Sequence, residues 1–280
     1  MKVSMRSHQI IFLCILTTLV VGCSQLKNET TIPIESYSAK EIYDLGEIKL
    51  NGKRHEEAAE YFGEIERLYP YSEWAKRGLI MQAFSFHKAL DYLNSRSAAQ
   101  RFIDFYPAAD DAAYAQYILA LSYYDQIAEI GRDQDLTLNA LQELRLLIER
   151  YPESKYSSEA KLKFDLAFDY LAAKEMEVGR YYLQKGHHSS AINRFRIVVQ
   201  DFQTTSQTPE ALFRLVESYI SLGLTVEAQL AGAVLARQYG STEWYKQSIN
   251  LLNGNGQMMD TASNNWLAKI YRQVIKGQWL

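Results

Sequence analysis

At 280 residues, 48% hydrophobic and 22% charged, the chain can bury a substantial core and is too apolar to be disordered throughout. A formal charge of −3 with no Lys/Arg cluster excludes a dominant nucleic-acid role, because holding phosphates needs clustered cations in excess. The 14 Gly and 5 Pro are scattered, which excludes a collagen-like or low-complexity architecture.

The first segment is foreign to the rest: Lys2 and Arg6 precede an uncharged run from Ile10 to Val21. About 12 apolar residues are too few to cross a bilayer as a helix, which takes about 20, so residues 1–22 are expected to be a signal peptide that is removed. The run ends in Val20-Val21-Gly22-Cys23, which resembles the lipobox of bacterial lipoprotein precursors. That resemblance implies that Cys23 becomes the acylated N-terminus, held in the membrane by several chains at about 0.8 kcal/mol per buried methylene. Cys14 leaves with the signal, so one Cys remains and no internal disulfide is possible. Removing Lys2 and Arg6 leaves 28 basic against 33 acidic residues, a net charge of −5. By analogy with lipoprotein sorting in Gram-negative bacteria, Ser24 is not the aspartate that retains a lipoprotein at the inner membrane, which implies the periplasmic face of the outer membrane. Residues 23–37 are polar, contain Pro33 and show no apolar period, so they read as a lipidated N-terminus and flexible tether.

From residue 38 to 252 one frame recurs five times. Offsets of 0, 4, 7 and 12 pick out Ala58, Phe62, Ile65 and Pro70, then Ser95, Ala99, Phe102 and Pro107, then Ala140, Leu144, Leu147 and Pro152. The same offsets give Ala191, Phe195, Val198 and Gln203, and finally Ala228, Gly232, Leu235 and Gly240. Offsets 0, 4 and 7 share one helical face, so each set predicts a helix burying a small residue and then larger ones. The fourth position stops the helix, by the missing donor of proline or by a glycine cap. Ser72 and Ser154 are candidate caps for the helices that follow. Twelve residues before the small position stands Gly46, Ala83, Gly179 or Val216, where paired helices are expected to cross closely.

This spacing resembles the tetratricopeptide repeat, a helix–turn–helix unit of about 34 residues. It predicts an all-α superhelix of about five repeats. The proline intervals of 37 and 45 residues exceed the norm. The surplus falls in a polar loop at Gly131-Arg132-Asp133-Gln134-Asp135 and in an unusually long helix from Ser157 to Lys185. After Gly254 and Gly256, the apolar stripe of Trp266, Ile270 and Val274 predicts a last helix, so residues 253–280 are expected to cap the solenoid and form a tail.

No constellation for catalysis stands out. His187-His188 point about 100° apart on a helix and have no ligand partner at metal-binding spacing, so they read as a turn. Asp110-Asp111 suits the start of a helix, where acids meet the macrodipole. Phosphate loops, nucleophile elbows and zinc motifs are missing, so neither an enzyme nor a cofactor or metal protein is expected. Most of the 20 tyrosines are expected in packing positions such as Tyr69, Tyr106, Tyr151 and Tyr219.

The order of lipobox, tether, five divergent repeats, Arg-Asp-Gln insertion and final helix resembles the BamD family, the lipoproteins of the outer-membrane β-barrel assembly machinery. Arg67-Leu68-Tyr69-Pro70, Arg132-Asp133-Gln134, the run Glu177-Val178-Gly179-Arg180-Tyr181-Tyr182-Leu183-Gln184-Lys185-Gly186 and Asn193-Arg194 carry the likeness, which spans nearly the whole chain. The tail beyond Leu252 is longer than the family pattern. The resemblance implies a non-enzymatic scaffold, with Asn193 and Arg194 meeting the periplasmic domains of a BamA-like barrel protein and other lipoproteins of the machinery as further partners. It also implies that the N-terminal repeats, around Tyr43, Phe62, Tyr69, Pro70 and Phe86, form a concave groove for unfolded outer-membrane proteins. The alternative is a periplasmic repeat lipoprotein coordinating polysaccharide or peptidoglycan assembly.

Overall fold

A computed structural model describes residues 33–128 and 134–254. After a short 3-10 turn at Ile34–Ser36, eleven helices follow among the described residues: α1 (Ala39–Asn51), α2 (His55–Leu68), α3 (Glu73–Lys88), α4 (Tyr92–Phe105), α5 (Ala112–Tyr124), α6 (Asp135–Arg150), α7 (Ser157–Gln184), α8 (His188–Asp201), α9 (Thr208–Ser221), α10 (Thr225–Tyr239) and α11 (Glu243–Gly254). Each helix packs chiefly on its sequence neighbours, and odd-numbered helices also touch along the inner face. This is the one-dimensional contact pattern of a helical solenoid, an all-α tetratricopeptide-like superhelix.

The repeat frame is the core. All fifteen positions at offsets 0, 4 and 7, in α2, α4, α6, α8 and α10, are buried. Those at offsets 0 and 7, from Ala58 to Leu235, have 0% exposure. The close crossings lie where expected. A Cβ on Gly46 would sit 2.7 Å from the Phe62 ring, and one on Gly179 would sit 2.4 Å from the Phe195 ring.

Two kinds of turn alternate along the solenoid. Within a repeat, the first helix ends in a residue at positive φ: Lys53 (58°), Leu90 (63°), Gly186 (74°) and Gly223 (73°). The next amide donates back five residues, as from Asp91 to the Phe86 carbonyl at 2.9 Å and from His187 to Tyr182 at 2.9 Å, which is the glycine-type helix stop. Between repeats, an aromatic residue closes the second helix: Tyr69, Tyr106, Tyr151, Phe202 or Tyr239. Its carbonyl accepts the amide three residues on, as from Ser72 to Tyr69 at 3.0 Å and from Thr205 to Phe202 at 3.1 Å. Proline follows three of these aromatics because no amide is needed there. The two turn types stand at opposite ends of α2, α3, α4, α7, α8, α9 and α10.

The capping readings are met in different ways. Ser72 caps α3 by accepting the Ala75 amide at 3.1 Å. Ser154 instead accepts the Tyr156 amide at 3.2 Å inside the turn ahead of α7. Gly240 closes α10 with φ −61°, not left-handed; glycine stands there because a Cβ would lie 2.7 Å from the Ala236 carbonyl oxygen.

The long helix is present as α7, whose 28 residues span about 42 Å. Its first half packs on α6 and its second half on α8. Between them a small cluster of Leu141, Ala167 and Leu171 with Phe168 and Phe202 joins the two arrays. α11 covers α9 and α10, with Leu252 lying over Gly232. The predicted cap around Trp266, Ile270 and Val274, most of the 131–135 loop, and Cys23 with the signal peptide lie outside the described residues.

Candidate interaction surfaces

The N-terminal groove residues do not all reach a surface. Phe62 is 0% exposed, with Tyr43 at 5.2 Å on one side and the Gly46 backbone beneath, so it is core and lines no groove. It sits at offset 4, the position the solenoid buries in every repeat, and the same periodicity that located it assigns it inward. Tyr43 and Tyr69 are half-buried in one cluster with it, and the Tyr69 hydroxyl donates to the Tyr37 carbonyl at 2.6 Å. Pro70 is exposed in the turn. Phe86, half-buried near the end of α3, lies about 18 Å along that helix from Trp74 and apart from the other four.

Trp74 is the residue that sequence reasoning missed. Its ring lies 5.0 Å from Tyr43, with Arg77 at 5.0 Å and Lys40 at 5.8 Å over its faces. Burial raises the Tyr43 pKa, Glu47 adds to the rise and Arg77 opposes it, so the phenol stays neutral and can donate. The signal was available. The Glu-Trp-x-Lys pattern of Glu73-Trp74-Ala75-Lys76 recurs as Glu243-Trp244-Tyr245-Lys246, each opening a helix after an aromatic turn. Trp244 packs 5.5 Å from Phe213 with Arg214 at 5.5 Å, so both ends of the superhelix present a tryptophan with a guanidinium over it.

In the fourth repeat, Arg194 is half-buried beside the buried face formed by Ala191 and Phe195, and Asn193 beside it is exposed. The Arg194 side chain is 40% exposed and pairs with Glu175 on α7 at 3.1 Å. Glu175 lies four residues, about one turn, before Gly179, where α7 and α8 cross. Toward the next repeat, Arg180 meets Glu210 at 3.1 Å, and Arg214 joins Glu210 and Glu217 at 3.3 and 3.0 Å.

The remaining titratable groups are held in packing. Burial first, then Tyr156 and Asp111, push Tyr114 up to about 12, and burial followed by Glu159 pushes Tyr117 higher still. His187 and His188 form the start of α8. Among the described residues no group of three metal-ligating side chains converges, and no helix is long and apolar enough to cross a membrane.

The family described as YfiO, outer membrane lipoprotein, matches residues 35–234, from the first turn through most of α10. The chain belongs to this family. BamD relatives agree: the outer membrane protein assembly factor BamD of Caulobacter vibrioides is 42% identical over 85% of this chain and 78% of its own length. The BamD of Rickettsia prowazekii is 38% identical over 86% of this chain and 94% of its own. Among solved structures the chain is similar to PilW, a type IV pilus biogenesis factor, with a TM-score of 0.34, 11% identity and coverage of 75% of this chain and 98% of that one.

Proposed function

We propose that this chain is a non-catalytic scaffold of outer-membrane protein assembly, anchored at the periplasmic face of the outer membrane through an acylated Cys23. What supports the role is the 42% identity to a BamD assembly factor over 85% of this chain, together with an architecture of repeated, packed helix pairs of the kind that serves as a binding scaffold. Arg194 and Asn193 meet a carboxylate on the periplasmic domains of a BamA-like barrel protein, a planar fork suiting that partner. Tyr43, Tyr69, Pro70 and Trp74 receive extended segments of unfolded barrel proteins, whose side chains project alternately and suit half-buried aromatic walls.

Affinity purification from detergent-solubilised membranes tests the role. Recovery of a β-barrel protein with periplasmic domains is expected, and recovery of polysaccharide synthases in its place would overturn it. Photo-crosslinkers at Tyr43 and Trp74 should capture barrel-protein C-terminal peptides. Intact mass spectrometry should find an N-terminus at Cys23 carrying acyl mass.

A further inference from the structure

The chain enters the folded body beside one edge of the superhelix. Glu35 accepts from Arg67 at 3.2 Å, the Tyr69 hydroxyl holds the Tyr37 carbonyl, and Ile34 and Tyr37 pack with Tyr69 and Trp74. This is the edge of aromatic turns. At the two turns nearest the entrance, large aromatic side chains stand outside the core: Tyr71, following Pro70, is 101% exposed, and Phe105, beside Tyr106, is 62% exposed. Most other exposed large apolar residues are aliphatic, and the exposed aromatic Tyr181 lies five residues before the Gly186 turn, away from this edge, with Lys185 over its ring. The charged residues nearest the two rings in sequence are mixed: Arg67, Glu73 and Lys76 for Tyr71, and Arg101 and Asp104 for Phe105. Such an edge attracts neither a polyanion nor a polycation. It suits a zwitterionic surface with an apolar layer beneath, the environment in which amphipathic rings settle at bilayer interfaces.

We propose that the edge carrying Tyr71 and Phe105 rests at headgroup level on the bilayer that holds the Cys23 lipid. The proposal depends on Cys23 being acylated. Ten residues, 23–32, separate that anchor from Pro33, and even fully extended they span no more than about 35 Å, so the point where the chain enters the body stays within that distance of the surface. Two aromatic rings would bind a membrane weakly alone, but tethering makes their contact effectively intramolecular. The edge therefore orients the body. Because the helices run from this edge to the opposite one, they stand away from the bilayer, with the turns at Leu90, Gly186 and Gly223 pointing into the periplasm.

Single nitroxide labels at Tyr71→Cys, Phe105→Cys and Leu93→Cys test this in the full-length acylated protein, reconstituted into phosphatidylcholine vesicles with no partner protein. The lipid blocks Cys23, and Leu93, 70% exposed, lies about 18 Å from Phe105 along α4. On reconstitution, labels at 71 and 105 should lose collisions with an aqueous nickel chelate severalfold and gain collisions with oxygen, while the label at 93 stays aqueous. Labels at 71 and 105 as open to the chelate as the one at 93, in protein whose mass includes the acyl chains, would overturn the proposal. Protein lacking acyl mass would overturn the Cys23 reading and the orientation with it, and the mass spectrum tells the two failures apart.

Discussion

The Phe195 ring rests on the backbone of Gly179, leaving no room for even a methyl group between α7 and α8. Gly179→Ala should therefore destabilise the protein by up to about 2 kcal/mol, because overpacking of about 1–3 kcal/mol is set against the roughly 1 kcal/mol gained in helix propensity. Urea denaturation measures it. Adding Phe195→Leu should restore part of the loss, and a Gly179→Ala variant as stable as the parent would show that the helices can part at no cost.

Leu90 and Lys53 adopt the left-handed backbone that Gly186 and Gly223 occupy in the equivalent turns. A side chain there costs about 1–2 kcal/mol. Leu90→Gly should raise the denaturation midpoint, and Gly186→Ala should lower it by about 1 kcal/mol, although neither touches the core. Opposite signs in paired melts are the expected outcome.

Arg194→Glu should leave the circular-dichroism signal intact and change stability by less than about 1 kcal/mol, as its pairing with Glu175 is partly solvated. Co-purification with the barrel partner should fall sharply, since breaking a desolvated charge pair across an interface costs about 2–5 kcal/mol. The swap Glu175→Arg with Arg194→Glu restores an internal pair and should still fail to bind. Normal binding by the swap would remove Arg194 from the interface.

His87, at the end of α3, has Nε2 3.1 Å from an Asp125 carboxylate oxygen, close enough for charge attraction though off hydrogen-bond alignment. Burial lowers its pKa, Asp125 pulls it partly back, and Lys88 adds to the fall. The folded state thus binds a proton less readily than the unfolded chain. The contribution of His87 is full above about pH 6.5 and is lost as pH falls from there through the depressed folded value. His87→Gln should flatten the pH dependence of the melting temperature in that window; an unchanged slope would assign it to other groups.

The solenoid was legible because its physics repeats. A small residue, two larger ones and a stop recur at fixed offsets, and burial follows those offsets in every repeat, so Ala58 and Leu235 could be placed without coordinates. The left-handed turn residues were half visible: Gly186 and Gly223 advertise them, but Lys53 and Leu90 do not, because neither side chain favours a positive φ. The groove was harder. Periodicity says which face turns inward, and that excludes Phe62, whereas Trp74 joins the surface only through its neighbours Tyr43, Lys40 and Arg77 from two helices. The Glu175 partner of Arg194 lies on another helix, a distance no spacing encodes.

The single helix α7 carries a consequence for how the protein comes apart. The helices on either side of it meet chiefly through its length and through the few rings around Phe168 and Phe202. Loss of that joint exposes little apolar surface compared with melting either array, so the two halves form separate cooperative units, each able to open while the other stays protected. Amide exchange under native conditions would then sort into two classes of protection that divide within α7. A newly made chain would pass through a state in which the first array is complete and the second still lacks its partners.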